Sequence, residues 1–215
     1  MTAKAIIARR VARELQDGDV VNLGIGLPTR VADYLPPGIQ VTLQSENGFL
    51  GLGPVTEENA SLVNAGGQPC GLTPGAAMFD SAFSFALIRG GHIDVCVLGA
   101  LQVDELGNLA NWVIPGKMVP GMGGAMDLVV GARKVIIATE HCAKDGSAKL
   151  LRRCTFPLTA QGKVAMVVTE HAVFRFTDGR MLLTEINPQL TVAQLREMTL
   201  ARFEVAADLT ALRFD

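Results

Sequence analysis

Two stretches of this 215-residue chain hold residue types that can do chemistry, LQSENGFLGLGP (43–54) and GMGGAM (121–126). Glu46 is the only ionisable residue between Tyr34 and Thr56. Asn47-Gly48 beside it is a turn signature, so one reading makes Glu46 the solvated shoulder of an exposed turn. The other reading rests on the run GFLGLGP, which is too apolar for a freely hydrated loop. A glutamate is ionised at neutral pH without a neighbouring base and can act directly as a nucleophile. It then needs amide dipoles around a partly dry site, because desolvation alone would favour its neutral form. Gly121, Gly123 and Gly124 leave backbone N–H groups unshielded, an arrangement suited to an oxyanion or a phosphate, although such loops also serve as plain tight turns.

Other motifs are weaker. Gly24-Ile25-Gly26 begins like a dinucleotide fingerprint, but Pro28-Thr29 follow and no third glycine completes it. His92, His141 and His171 have no second His or Cys at a ligand spacing, so no metal site is expected. His141 and His171 fall at strand ends, in structural or solvent-facing roles. Ser-His-Asp catalysis lacks its GxSxG elbow. The basic run KDGSAKLLRR (144–153) reads as a solvated face or a contact between protein chains before it reads as a phosphate site.

These residues need elements to hold them. Residues 3–17 have helical periodicity, with Ala8, Val11, Ala12 and Leu15 on one face and Arg9, Arg10, Arg13, Glu14 and Gln16 mostly on the other. Thr2 suits the N-cap and Gly18 the stop. A buried strand (19–23) then meets the Gly-Ile-Gly turn and a helix opening at Pro28. The strand QVTLQ (40–44) leads directly to Glu46. In an open parallel sheet, ligands gather beyond the carboxyl ends of the strands, which is where this order places the carboxylate. MFDSAFSFALIRGG predicts a helix closed by Gly90-Gly91, and IDVCVLGA a strand. ARKVIIATEH and KVAMVVTEH are further buried strands. Residues 101–114 and 172–186 read as hairpins, the second around Asp178-Gly179. TVAQLREMTLARF is a closing helix capped by Thr191. Helices alternating with short continuous apolar strands predict an α/β fold, a mainly parallel sheet covered on both faces. The whole chain, 1–215, reads as a single domain with hairpin insertions.

Composition narrows the partners. Net charge is −2, which gives no bulk attraction to nucleic acid or to an anionic membrane. The uncharged stretch from Asn59 to Phe79 is broken by Gly, Pro, Asn and Gln, unlike a membrane span. Cys70, Cys96, Cys142 and Cys154 are widely spaced and read as reduced thiols, and the N-terminus has no apolar signal region. A cytoplasmic protein is expected.

LQSENGFLG (43–51) resembles the active-site signature of the B (β) subunits of class I coenzyme A transferases, the group acting on acetate, butyrate and 3-oxoacids such as acetoacetate. GDVVNLGIGLPT (18–29), the segment 64–104, NWVIPGKMVPGMGGAMDLV (111–129) and KVIIATEHCAKDG (134–146) resemble the same family in the expected order. The resemblance implies a three-layer α/β/α fold shared with sugar-phosphate isomerases. It implies that Glu46 is the nucleophile, carrying CoA as a glutamyl thioester in a ping-pong exchange between acids. Candidate oxyanion and CoA-binding backbone then comes from Gly121, Gly123, Gly124 and Asn47, with Gly24 and Gly26 toward the substrate pocket. It implies no tightly bound cofactor, with CoA as substrate and covalent intermediate. A homologous α (A) subunit should complete the site in an α2β2 assembly. An acyl-CoA hydrolase on the same fold, or a non-catalytic CoA- or dinucleotide-binding subunit, are the alternatives.

Overall fold

The computed structural model describes residues 1–57, 61–117, 119 and 121–214. Asn59 and Ala60 of the long uncharged stretch, and Met118 and Pro120 of the NWVIPGKMVPGMGGAMDLV segment, therefore lie outside the described residues. The five-stranded parallel centre of the sheet consists of β1 (Val20–Leu23), β2 (Thr42–Ser45), β5 (Val95–Leu98), β8 (Lys134–Ala138) and β10 (Met166–Val168), all strands being numbered in chain order. β3 (Phe49–Gly53) and β4 (Gly71–Met78) extend it antiparallel beyond β2. On the other side β11 (Ala172–Thr177) and β12 (Arg180–Ile186) form the expected hairpin, and β13 (Glu204–Ala211) pairs parallel with β12. The order across all ten is β13-β12-β11-β10-β8-β5-β1-β2-β3-β4. A separate small sheet holds the other expected hairpin, β6 (Gln102–Asp104) with β7 (Leu109–Ala110), beside β9 (Leu150–Leu151), in the order β7-β6-β9.

Strand residues alternate between two cores, which makes three layers. One face buries Val21, Val95, Val97, Ile136 and Val168 against α1 (Ala3–Ala12) and the short 3-10 helix Pro28–Tyr34. Ile7 and Val11 of α1 are fully buried there. Covering such side chains contributes about 1.5–3 kcal/mol each. The other face buries Cys96, Leu98, Ile137 and Val167 beneath α2 (Ser81–Arg89), α3 (Ala125–Gly131), α4 (Val192–Met198) and the small sheet.

Several local signals act as expected. Thr2 caps α1, Pro28 occupies the first turn of its helix, and Thr191 forms a reciprocal capping box with Gln194. Asp178 and Gly179 both take positive φ, 53° and 72°, as the β11–β12 turn demands.

Others differ. α1 stops at Ala12 and not near residue 17. Asp17 and Asp19 accept hydrogen bonds from the Gln40 and Gln16 backbone amides, so side-chain turns displace the last helical turn. Arg10 is not on a solvated face but 7% exposed, held by Glu185 of β12 at 2.9 and 2.8 Å and by Glu14 at 2.8 Å. Nor is the helix at residue 191 the last element, since β13 follows it. β3 and β4 are also strands, in segments to which the sequence assigns no element. Their glycines, and Pro74 inside β4, are tolerated because β4 is an edge strand and the β3–β4 register is broken by a bulge.

Candidate active site

Glu46 follows the last residue of β2 at the carboxyl edge of the parallel strands. β1 lies beside β2, and β5 lies on the far side of β1. The chain leaves β1 toward β2 but leaves β5 toward β8, so a crevice opens between oppositely directed connections. It is a cleft of about 1110 Å³, lined by Glu46, by Gly24 beyond β1, by Leu98–Leu101 beyond β5, and by Gly121–Ala125.

The turn carrying Glu46 is rigidly made. Gly48 has φ 123°, and a Cβ there would fall 2.0 Å from the Phe79 carbonyl oxygen. Only glycine fits, because β4 and α2 meet the turn at that point, with the Phe79 N–H donating to Gly48 O at 3.0 Å. Glu46 itself is half-buried. One carboxylate oxygen, Oε2, accepts a hydrogen bond from Asn22 Nδ2 of β1 at 3.3 Å. The other, Oε1, faces the glycine loop: a Cβ on Gly124 would lie 3.2 Å from it and 3.3 Å from Phe85 Cζ of α2. The loop's glycines have divided roles. Gly121 and Gly123 take φ of 90° and 53° with open space where a Cβ would stand, whereas at Gly124 a Cβ would stand against the carboxylate.

Behind the carboxylate the sheet is polar. Asn22 and Gln44 are register partners on β1 and β2, exposed by only 1% and 3%. Asn22 Nδ2 donates to Gln44 Oε1 at 2.7 Å, Gln44 Nε2 to Ser84 Oγ of α2 at 3.0 Å, and Ser84 Oγ to Ser45 O at 3.4 Å. On β5, next to Asn22, burial and then the charge of Glu46 push the Cys96 thiol far above its usual range. Cys96 therefore stays neutral and is no rival nucleophile.

The structure brings Glu46, Gly24, Gly121, Gly123 and Gly124 to one cleft. Gly26 and Asn47 are not on its lining: Gly26 is exposed with φ 91°, and the Asn47 amide turns away to donate to Val63 O at 2.9 Å. Asn22, Gln44, Ser84, Cys70 and Asn111 are functional-site neighbours that motif reading missed. The available signal was a polar side chain inside an apolar strand, Asn22 in VVNL and Gln44 in TLQS, where an all-buried parallel strand should be apolar throughout.

The histidines lie elsewhere. His141 is fully buried between Thr169 Oγ1 at 3.0 Å and Thr199 Oγ1 at 2.9 Å, and burial with the nearby His171 lowers its pKa to about 4. Among the described residues no three His, Cys, Asp or Glu side chains gather as a metal group, and no helix is long and apolar enough to cross a membrane. All four cysteines are free thiols.

What this arrangement can do is acyl exchange. One carboxylate oxygen faces a glycine loop across a roomy cleft and the other meets a side-chain amide donor, an arrangement suited to acyl exchange without a general base.

Comparison with known proteins assigns the family. The chain is 76% identical over 215 residues to the beta subunit of the acetate CoA-transferase of Escherichia coli K12, covering 100% of both chains. It is 45% identical over 216 residues to the human mitochondrial succinyl-CoA:3-ketoacid coenzyme A transferase 2, covering 98% of this chain and 42% of that one. Two solved structures share the fold at lower identity. The acyl-CoA transferase YdiF of E. coli O157:H7, in a thioester complex with CoA, superposes with a TM-score of 0.77 at 23% identity, over 100% of this chain and 44% of that one. Glutaconate coenzyme A-transferase from Acidaminococcus fermentans gives 0.75 at 19% identity, over 100% of this chain and 90% of its own. With residues 4–198 matching the coenzyme A transferase family as well, the chain belongs to that family.

Proposed function

We propose that the chain is the β subunit of a short-chain acyl-CoA:carboxylate CoA-transferase of the acetate or 3-oxoacid class, with Glu46 as its covalent nucleophile. The observation that carries this is the Glu46 carboxylate, half-buried at the end of β2 with Oε1 against Gly124 in the cleft. The similarity to the beta subunit of an acetate CoA-transferase supports the substrate class.

Glu46 Oε1 attacks the acyl-CoA carbonyl and expels CoA thiolate, leaving an acyl-glutamyl anhydride. The thiolate then attacks the glutamyl carbon, and the first acid departs with the bridging oxygen. CoA is now a thioester on Glu46, and an incoming carboxylate runs the steps in reverse. Each step exchanges a thiolate for a carboxylate, so no proton is carried and the absence of a histidine from the cleft lining is no handicap. The negative charge on each tetrahedral intermediate does need donors, for which the backbone at Gly123 and Gly124 is the candidate; one such donor is worth about 10²–10³ in rate. Binding of the pantetheine arm along the cleft supplies energy for the reacting centre. A homologous α subunit completes the site in an α2β2 assembly.

The test uses the chain co-expressed with that partner. On adding acetoacetyl-CoA, intact mass should show CoA bound to this chain, releasable by hydroxylamine with conversion of Glu46 to a hydroxamate. Glu46→Ala should abolish the adduct and lower transfer more than about 10³-fold. Full transfer by Glu46→Ala would end the proposal.

A further inference from the structure

We propose that Asn22 is a catalytic residue whose Nδ2–H stabilises the oxyanion on Glu46 Oε2, with Gln44 and Ser84 as positioning residues behind it. This rests on Glu46 being the nucleophile. The two carboxylate oxygens are not equivalent in the structure, since Oε1 faces the glycine loop and Oε2 faces Asn22. If Oε1 attacks the acyl group, Oε1 becomes the bridging oxygen of the anhydride and Oε2 its glutamyl carbonyl oxygen. When CoA thiolate adds to Cδ, the C–S bond forms and the carbonyl electron pair moves onto Oε2. Collapse restores that carbonyl and breaks the bond from Cδ to Oε1, and the acid leaves with Oε1 and the electron pair. No proton or oxidant enters. The charge appears on the oxygen that Asn22 already faces.

The amide's surroundings fix which end points there. Nδ2 meets three acceptors, Gln44 Oε1, Gln44 O and Glu46 Oε2, at 2.7, 3.3 and 3.3 Å. Its own Oδ1 is buried and meets no donor among the described residues. A buried acceptor left without a partner costs about 1–3 kcal/mol. Accepting that cost is reasonable where the site needs the N–H end. The contact to Oε2 is long in the resting state, and catalytic hydrogen bonds commonly shorten as charge develops. Gln44 cannot turn away, because Ser84 Oγ accepts from its Nε2, and Ser84 is fully buried in α2. The row Ser84–Gln44–Asn22 thus aims a donor from helix to strand to strand at one oxygen.

Asn22→Asp, nearly isosteric, is the decisive variant in the reconstituted enzyme. At neutral pH it replaces the donor by a second carboxylate, so kcat should fall about 10²–10³-fold while KM for acyl-CoA moves little. As pH is lowered and residue 22 gains a proton it donates again, so the variant's kcat should recover toward acid while the wild type shows no such rise. The titratable groups around this point are Glu46 and Cys96, with Asp33 and Cys70 farther along the cleft lining. Ser84→Ala should lower kcat several-fold with KM unchanged, and it decides the matter if Asn22→Asp does not fold. Wild-type kcat in these variants, a loss confined to KM, or a pH profile parallel to the wild type would overturn the proposal. Intact mass separates the two readings: a CoA adduct that forms slowly but completely on Asn22→Asp supports both. If no adduct forms on the wild type, the nucleophile assignment itself fails.

Discussion

Gly124→Ala is the most direct probe of the glycine wall. Gly124 has φ −79°, a value open to alanine, so the substitution introduces no backbone strain. Its effect comes from contact alone. The new methyl would stand 3.2 Å from Glu46 Oε1, 3.3 Å from Glu46 Cγ and 3.3 Å from Phe85 Cζ, each a few tenths of an ångström inside ordinary contact. Phe85 is held in α2, so the carboxylate is the part that gives way. A nucleophile displaced toward one ångström loses about 10²-fold, and the smaller shift here should lower kcat about 10–100-fold. Gly123→Ala is the control. Gly123 has φ 53° and open space for a methyl, so alanine there meets nothing but costs about 1–2 kcal/mol of backbone strain. Steady-state kinetics and urea unfolding on the reconstituted enzyme should therefore separate the pair: Gly124→Ala loses turnover at nearly unchanged stability, and Gly123→Ala loses stability first. Wild-type kcat in Gly124→Ala would refute the placement of the carboxylate against this loop.

Two further predictions concern stability against pH. Burial alone would raise the Glu14 pKa, but hydrogen bonds from Lys134 and Arg10 outweigh it and hold the carboxyl at about 2. Its folded value lies below its unfolded one, so its contribution is present above about pH 4.5 and is lost as pH falls toward about 2. Glu14→Gln should cost on the order of 2–3 kcal/mol at neutral pH and flatten the stability curve in that window, read by urea midpoints. His141 acts at higher pH. Burial and His171 keep it neutral down to about 4, so the protein weakens as pH drops from about 6.5 through that value. His141→Gln should remove that slope, and an unchanged slope would show that the buried imidazole does not set it.

The parallel centre of the sheet was legible because its strands are short and mostly apolar and the helices carry clear punctuation: Thr2, Pro28, Gly90-Gly91 and Thr191 each mark a boundary by local chemistry. β3, β4 and β13 were not. FLGLG and GLTPGAAM carry glycines and a proline that count against strands, and only their place at the sheet edge makes them acceptable. Arg10 shows the same limit in a single side chain, because helical periodicity cannot reveal that Glu185, distant in sequence, waits across the interface. In the site, Glu46 and the glycine loop stood out as local anomalies of charge and backbone. Asn22 and Ser84 did not, since an isolated polar residue gains meaning only when register and packing supply its partners.

α2 and the residues leading into it meet the reaction centre at three points. Its approach pins Gly48 through Phe79, Ser84 braces Gln44, and Phe85 backs Gly124. One helix thus serves as a common mount for the turn that carries the carboxylate, the amide behind it and the wall in front. A small tilt of that helix would carry all three together and leave their mutual spacing intact. Drift in the outer residues of α2 should then be harmless, whereas a change that loosens one of its three footholds separates parts that otherwise move as a unit.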